Sequence, residues 1–310
     1  MRFKAKVLSD QVSLLYSIVN AIAKLQDNNK FAILYLDREF VRISCKSESG
    51  ITCFMELSKD IFLEHRIESA AENVIVCQVD LNSLKLALQS VHGQYNSRNY
   101  SNSSQNNRQN QSVLQSVMAG QQMVILKLAK RNQMPCLCLD GQDDSIEIHQ
   151  AIPVRVLRQS EMQYHLPPQI NTPAVQLELP LDRPLKAIVD KLRQMGPHLY
   201  LEATMRGDLT VRLDHDGASL ACFYSNLVPR WDEEEEQAPN PDSHCVLKVD
   251  ANKFSTCLQW QQQSQLQVSS CLLGMVHNEM LVLHILLNPD HVGFFTYYIP
   301  VYFMHEDELE

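Results

Sequence analysis

The chain has 310 residues, 45% hydrophobic and 20% charged, with a formal net charge of −9. Such a composition fits a folded soluble chain of about two domains, and no apolar run reaches the roughly 18 residues of a membrane span. The negative charge argues against a surface coated in nucleic acid. It leaves room for a local basic patch, because binding depends on where charge sits.

The opening "MRFKAKV" alternates charged and apolar residues, which predicts a strand rather than a signal peptide. "SLLYSIVNAIAKL" (13–25) places Leu15, Ile18, Val19, Ile22 and Leu25 at helical spacing, so it predicts an amphipathic helix. "VRISC", "ITCFMEL" and "NVIVCQV" alternate as strands do. "DLNSLKLALQ" (80–89) predicts a second helix with Asp80 as its N-cap. "QYNSRNYSNSSQNNRQNQS" (94–112) holds fifteen Asn, Gln or Ser among nineteen residues and no aliphatic side chain, so it reads as a disordered surface insertion. "MVILKLA" and "IEIHQAIPV" (146–154) are again strands. "RVLRQSEMQYHLPPQINTP" (155–173) has three prolines and little periodicity, as a connector does.

The same order then recurs. At a shift of 170 residues, "RPLKAIVDKLRQM" (183–195) lies under the first helix, "VRL" (211–213) under "VRI" (41–43), and "DANKFSTCLQ" (250–259) under the second helix, with Asp250 at the place of Asp80. Farther on the shift becomes 147, which sets "YIPV" (298–301) under "AIPV" (151–154). The difference of 23 residues matches the polar insertion. The expected fold is therefore α+β: two repeated domains, each an antiparallel sheet with two helices on one face. Their spans are 1–154 and 173–310, joined by a connector over 155–172. The closing strand "FFTYYIPVYF" (294–303) fills the slot that 146–154 fills in the first copy.

No motif for catalysis or a cofactor is present. There is no GxGxxG, Walker lysine loop, GxSxG or HExxH, and the eleven histidines lack ligand spacing. The nine cysteines are scattered in apolar runs without CxxC, which fits reduced, buried thiols in the cytosol or nucleus. Cys136 and Cys138 share a strand face and read as core, not as a metal pair. Asp214, His215 and Asp216 precede Gly217 between two strands, so a hairpin turn is the reading, with an acid–base site as the rival. "WDEEEEQAPNPD" (231–242) reads as a solvated acidic loop or as a docking segment for a basic partner.

Basic residues carry more information. At about 100° per residue, Arg183, Lys186 and Arg193 fall opposite the apolar face of helix 183–195, with Asp190 among them. Lys24 and Lys85 lie outside the apolar stripes of the first two helices, and Lys253 does so on the last. Each alone is an ordinary solvated face. Together they outline a surface that touches phosphates without reading bases.

The two-copy pattern with its proline-bearing connector resembles the sliding DNA clamps. "MRFKAKV", "IAKL", "IPVRVL" and "YYIP", in that order, resemble more specifically the Hus-one-type subunit of the nine-one-one checkpoint clamp. The resemblance implies the DNA clamp fold and a non-enzymatic subunit of a heterotrimeric ring. Such a ring takes up two other clamp subunits, is placed by a clamp loader, encircles double-stranded DNA, and serves checkpoint and repair proteins in the nucleus. It implies no cofactor, no metal, no membrane and no small-molecule substrate. Lys24, Lys85, Arg183, Lys186, Arg193 and Lys253 would then contact phosphates. The closing strand would pair within the chain, with "GITCFMEL" (50–57). The strands around 146–152 and 219–225 would meet partner subunits through Ile146, Ile148, Ala151, Leu220, Cys222 and Tyr224. The long insertion at 94–112, the acidic run at 232–236 and the tail "VYFMHEDELE" depart from the family pattern. A homotrimeric replication processivity clamp is the alternative.

Overall fold

Strand β1 (Arg2–Leu8) buries Phe3, Ala5 and Val7 and exposes Arg2 and Lys4, as its alternation requires. The computed structural model describes residues 1–25, 31–91, 123–142, 147–162, 166–182, 185–215, 217–231, 240–263, 266–288 and 292–304. The 94–112 insertion, the 232–236 run, Arg183, Ile146 and Asp216 lie outside them. Contacts divide the chain into two compact units. One comprises Met1–Ala23, Lys30–Ile43 and Leu57–His165, the other Lys24–Asn29, Ser44–Glu56 and Leu166–Glu310.

In the first unit, β1 pairs antiparallel with β5 (Glu64–Glu68) and β7 (Met123–Arg131). Next come β8 (Met134–Gln142) on β7 and β9 (Glu147–Val156) on β8. β2 (Phe31–Leu36) pairs with β6 (Ile75–Asp80), and β6 takes the end of β9 at Val154–Val156. β3 (Phe40–Lys46) and β4 (Thr52–Ser58) complete the strands of the first copy.

The second unit repeats these pairings. β10 (Val175–Glu178) lies between β14 (Val228–Pro229) and β16 (Val268–Val276), followed by β17 (Met280–Leu287) and β18 (Gly293–Tyr302). β11 (His198–Thr204) lies between β12 (Asp208–His215) and β15 (His244–Asp250), and β15 takes the end of β18. β13 (Ala218–Tyr224) folds back on β12 through a hairpin in which Gly217 has φ +77°, so Asp214 and His215 flank a turn.

Helices α1 (Ser9–Ala23) and α2 (81–91) share one core. Leu15, Val19, Leu84 and Leu88 line a small apolar cavity of about 50 Å³ together with Phe3, Leu34, Leu126 and Leu137. In the connector the short α3 (Gln159–Met162) is tied by the Arg155–Glu161 ion pair, a helical turn that the prolines had masked. In the second unit α4 (Leu185–Leu192) packs on α5 (Ala251–Cys257). Both expected caps form. Asp80 accepts from the Ser83 N–H at 2.6 Å, and Asp250 accepts from the N–H groups of Asn252 and Lys253. All nine cysteines are free thiols and only Cys222 is not buried.

Candidate functional site

The closing strand β18 has a neighbour on each side. β17 pairs with it over Phe294–Pro300, and β4 pairs along the other edge. Alternation sorts β18 into two rows. Phe295, Tyr297 and Ile299 point into the core beside Cys53 and Met55, and none of the five is more than 1% exposed. Burial, with the thiols of Cys53, Cys257, Cys45 and Cys271 nearby, pushes the Tyr297 phenol well above its ordinary pKa. Burial likewise raises the Cys53 thiol, which is hydrogen-bonded to Cys45. In the outward row Tyr298 meets Phe54 edge to face, ring centroids 5.9 Å apart. Gly50, at φ +91°, lets the turn before β4 lie against Pro300, to which an added Cβ would stand 3.4 Å away.

Two other strands have one free side among the described residues. β9 pairs with β8 over Glu147–Pro153, and β13 pairs only with β12. Ile148 is half-buried and Ala151 is exposed. On β13 the inward row is Leu220, Cys222 and Tyr224, set against the buried Leu213, Val211 and Leu209. Tyr224 is buried, Cys222 half-buried and Leu220 38% exposed, so coverage fails toward the start of the strand. The residue that alternation did not single out is Phe223. It stands in the outward row opposite Thr210 and is 74% exposed. Its signal was available, a bulky aromatic on the polar side of a strand, but only a free edge makes it notable.

The outward row of β9 is polar. His149 Nδ1 lies 2.9 Å from Asp140 Oδ1 and its Nε2 lies 3.4 Å from Glu147 Oε2, while Lys127 Nζ donates to Asp140 at 2.5 Å. Hydrogen bonds to the two carboxylates raise the His149 pKa. Partial burial works against the Asp140 carboxylate, but Lys127 and His149 outweigh it and hold its pKa below the ordinary value.

The basic helix positions do not behave alike. Lys24, just past α1, is exposed, and Lys85 on α2 and Lys253 on α5 are half-exposed. Arg193, one residue past α4, is exposed, but its Nε donates to Asp190 at 3.1 Å and its Nη1 to Asn252 at 3.4 Å. Lys186 departs from its expected outward position and is only 3% exposed. Its ammonium donates to both Asp190 oxygens at 2.6 Å and to Ser255 Oγ at 2.9 Å, and Ser255 Oγ–H donates to Asp190 at 2.6 Å. The physical reason is α5: it covers the flank of α4 that a lone helical wheel assigns to solvent, and Asp190 and Ser255 satisfy the buried charge there. Burial acts against the Asp190 carboxylate, yet bonds from Lys186 and Ser255 and the charge of Arg193 keep its pKa lowered. Met195, expected on the apolar face, is 50% exposed because the helix ends at Leu192 and the next residues form a turn.

Comparison with known proteins sets these edges and helices in a family. The sequence profile described as Hus1-like protein matches residues 1–303. The chain belongs to the Hus1-like family. Over 307 residues this Hus1-like chain is 26% identical to a checkpoint protein Hus1 homologue of Dictyostelium discoideum, covering 97% of this chain and 98% of the relative. It is 23% identical to the checkpoint protein HUS1 of Homo sapiens, covering 91% and 93%. It is also 23% identical to the checkpoint protein hus1 of Schizosaccharomyces pombe, covering 97% and 99%. In structure it is similar to PCNA from Thermococcus kodakaraensis, with a TM-score of 0.61, 12% identity, and coverage of 96% and 99%. The Hus1-like chain therefore has the DNA clamp fold. Among its described residues no helix is long and apolar enough to cross a membrane.

Proposed function

We propose that this Hus1-like chain is a non-enzymatic subunit of a heterotrimeric ring clamp that encircles double-stranded DNA and supports DNA damage checkpoint signalling and repair in the nucleus. The observation that carries this reading is the pattern of strand edges. One junction closes inside the second unit through β4 and β18, while among the described residues β13 and the Glu147–Pro153 stretch of β9 each keep an edge free for another chain. Membership of the Hus1-like family favours this over a homotrimeric replication clamp. The two other clamp subunits would occupy those edges, and a clamp loader would open and place the ring. Lys24, Lys85, Arg193 and Lys253 would touch phosphates in passing. Their small number suits a topologically linked sliding protein, since strong affinity for the backbone would slow it.

The test is mass in solution, by sedimentation, for the chain alone and with the two other subunits of a checkpoint clamp. A one-to-one-to-one complex is expected, and self-assembly into a trimer would sink the reading. Within that complex, alanine at Lys24, Lys85 or Lys253 should lower the salt slope of DNA binding by about one each.

A further inference from the structure

One row of directly opposed residues crosses β13, β12, β11, β15 and β18 in the second unit: Ala221, Arg212, Tyr200, Lys248 and Tyr302. It points away from the core, because the alternate residues Leu199, Val211 and Val249 are fully buried. Cation and ring alternate along it. The Tyr200 ring centroid lies 5.2 Å from Arg212 Cζ and 5.3 Å from Lys248 Nζ. His198 meets the Tyr302 ring edge to face, centroids 4.8 Å apart, and 41% of Tyr302 stays exposed. Phe223, 74% exposed, stands on the same face opposite Thr210. The carboxylates of this face are engaged. Asp214 lies 3.3 Å from Arg212 Nε, Glu202 lies 3.1 Å from His244 Nε2, and Asp250 caps α5. Lys248 has no carboxylate partner among the described residues.

β12, β11 and β15 each have a strand on both sides, so no further strand can pair there. A ligand must use the side chains, which offer charge and aromatic faces in alternation. An acidic peptide would use only the charges. Single-stranded nucleic acid uses both, since its phosphates take cations and its bases stack on rings. At about 4.8 Å per strand, β13 to β18 spans about 19 Å, room for roughly four nucleotides. We propose that this sheet face binds single-stranded nucleic acid without reading its sequence, with phosphates on Lys248 and Arg212 and bases on Tyr302 and Phe223. The inference goes beyond the ring-clamp reading, which sets duplex DNA against the helix lysines.

The test titrates the full chain with labelled oligomers of about 12 nucleotides: thymidine DNA, uridine RNA and an abasic DNA strand of equal charge. Anisotropy should show the abasic strand binding about tenfold more weakly than the thymidine strand, and the tighter of DNA and RNA names the strand the face takes. Tyr302→Ala should cost about tenfold and leave the salt slope unchanged, while Tyr302→Phe keeps the affinity. Lys248→Ala should lower the salt slope by about 0.7. Circular dichroism should show these variants folded, since both side chains reach solvent. Irradiating an oligomer that carries 5-iodouracil should cross-link it to Tyr302 or Phe223, a placement that needs no variant. Equal binding of the abasic strand, affinity indifferent to Tyr302→Ala, or cross-links confined to the helices would overturn the proposal. So would a polyglutamate peptide that binds more tightly than the oligomers, which would assign the face to an acidic protein segment. These outcomes are read on β18 and β13 with the single chain, whether or not a three-subunit ring forms, so either idea can fail alone.

Discussion

In the closing strand of the second unit, Phe295, Tyr297 and Ile299 are at most 1% exposed, whereas in the matching strand of the first unit Ile148 and Gln150 are half-buried and only Ile152 falls to 4%. Both strands have a partner on one side, β17 or β8. What differs is the other side, where β18 has β4, whereas β9 over Glu147–Pro153 has no second strand among the described residues and meets β6 only at its end. Burial of an inward row thus depends on the second neighbour as much as on the sheet's own core. Side-chain choice follows: the slot filled by Tyr297 in the closed junction is filled by Gln150 at the open edge, where a buried aromatic would have gone half-covered.

This comparison can be broken most sharply at Tyr297. Replacing it with alanine should cost about 3–5 kcal/mol, the range for truncating a buried aromatic, read as a lower denaturant midpoint. Ile148→Asp should do the opposite kind of damage. The chain should unfold at nearly its normal midpoint, while sedimentation with the partner subunits should show assembly lost. If Ile148→Asp unfolds the chain instead, β9 is part of its core and not an edge. A smaller effect is expected at the cap of α5. Asp250→Ala should cost about 1 kcal/mol, because the N–H groups of Asn252 and Lys253 lose their acceptor.

The smallest effect concerns His149. Its pKa is raised by Asp140 and Glu147, so the protonated ring binds them better in the folded chain. That contribution is present in full below the unfolded imidazole value of about 6.5 and disappears as pH rises through the raised folded value. An NMR titration should place the imidazole above the ordinary value, and Asp140→Asn should bring it back down. A titration at the ordinary value in the intact chain would remove the cluster from the account of the β9 edge.

Much of this was legible in the residues. Apolar spacing located α1, α2, α4 and the alternating strands, and the repeat matched each to its counterpart. Asp80 and Asp250 could be read as caps because a cap is a local event: one carboxylate and the two or three N–H groups that follow it. Lys186 could not be read. A helical wheel separates apolar from polar sides of one helix, but it contains no information on a second helix crowding the polar side. Phe223 was passed over for a related reason, since alternation directs attention to the inward row and treats the outward one as solvent.

The sequence alone determined which stretches are strands and helices, where α5 begins, that the unit occurs twice, and which family the order of motifs resembles. Those properties depend on periodicity and on neighbours within a few residues. The tertiary structure alone decided that Ser44–Glu56 belongs with the second unit, that Lys186 is sealed by Asp190 and Ser255, and that β18 is covered on both sides while, among the described residues, β13 and the Glu147–Pro153 stretch of β9 are not. The physical reason is that a pattern tells which side of an element is apolar, whereas burial and charge pairing depend on which other element arrives to cover it.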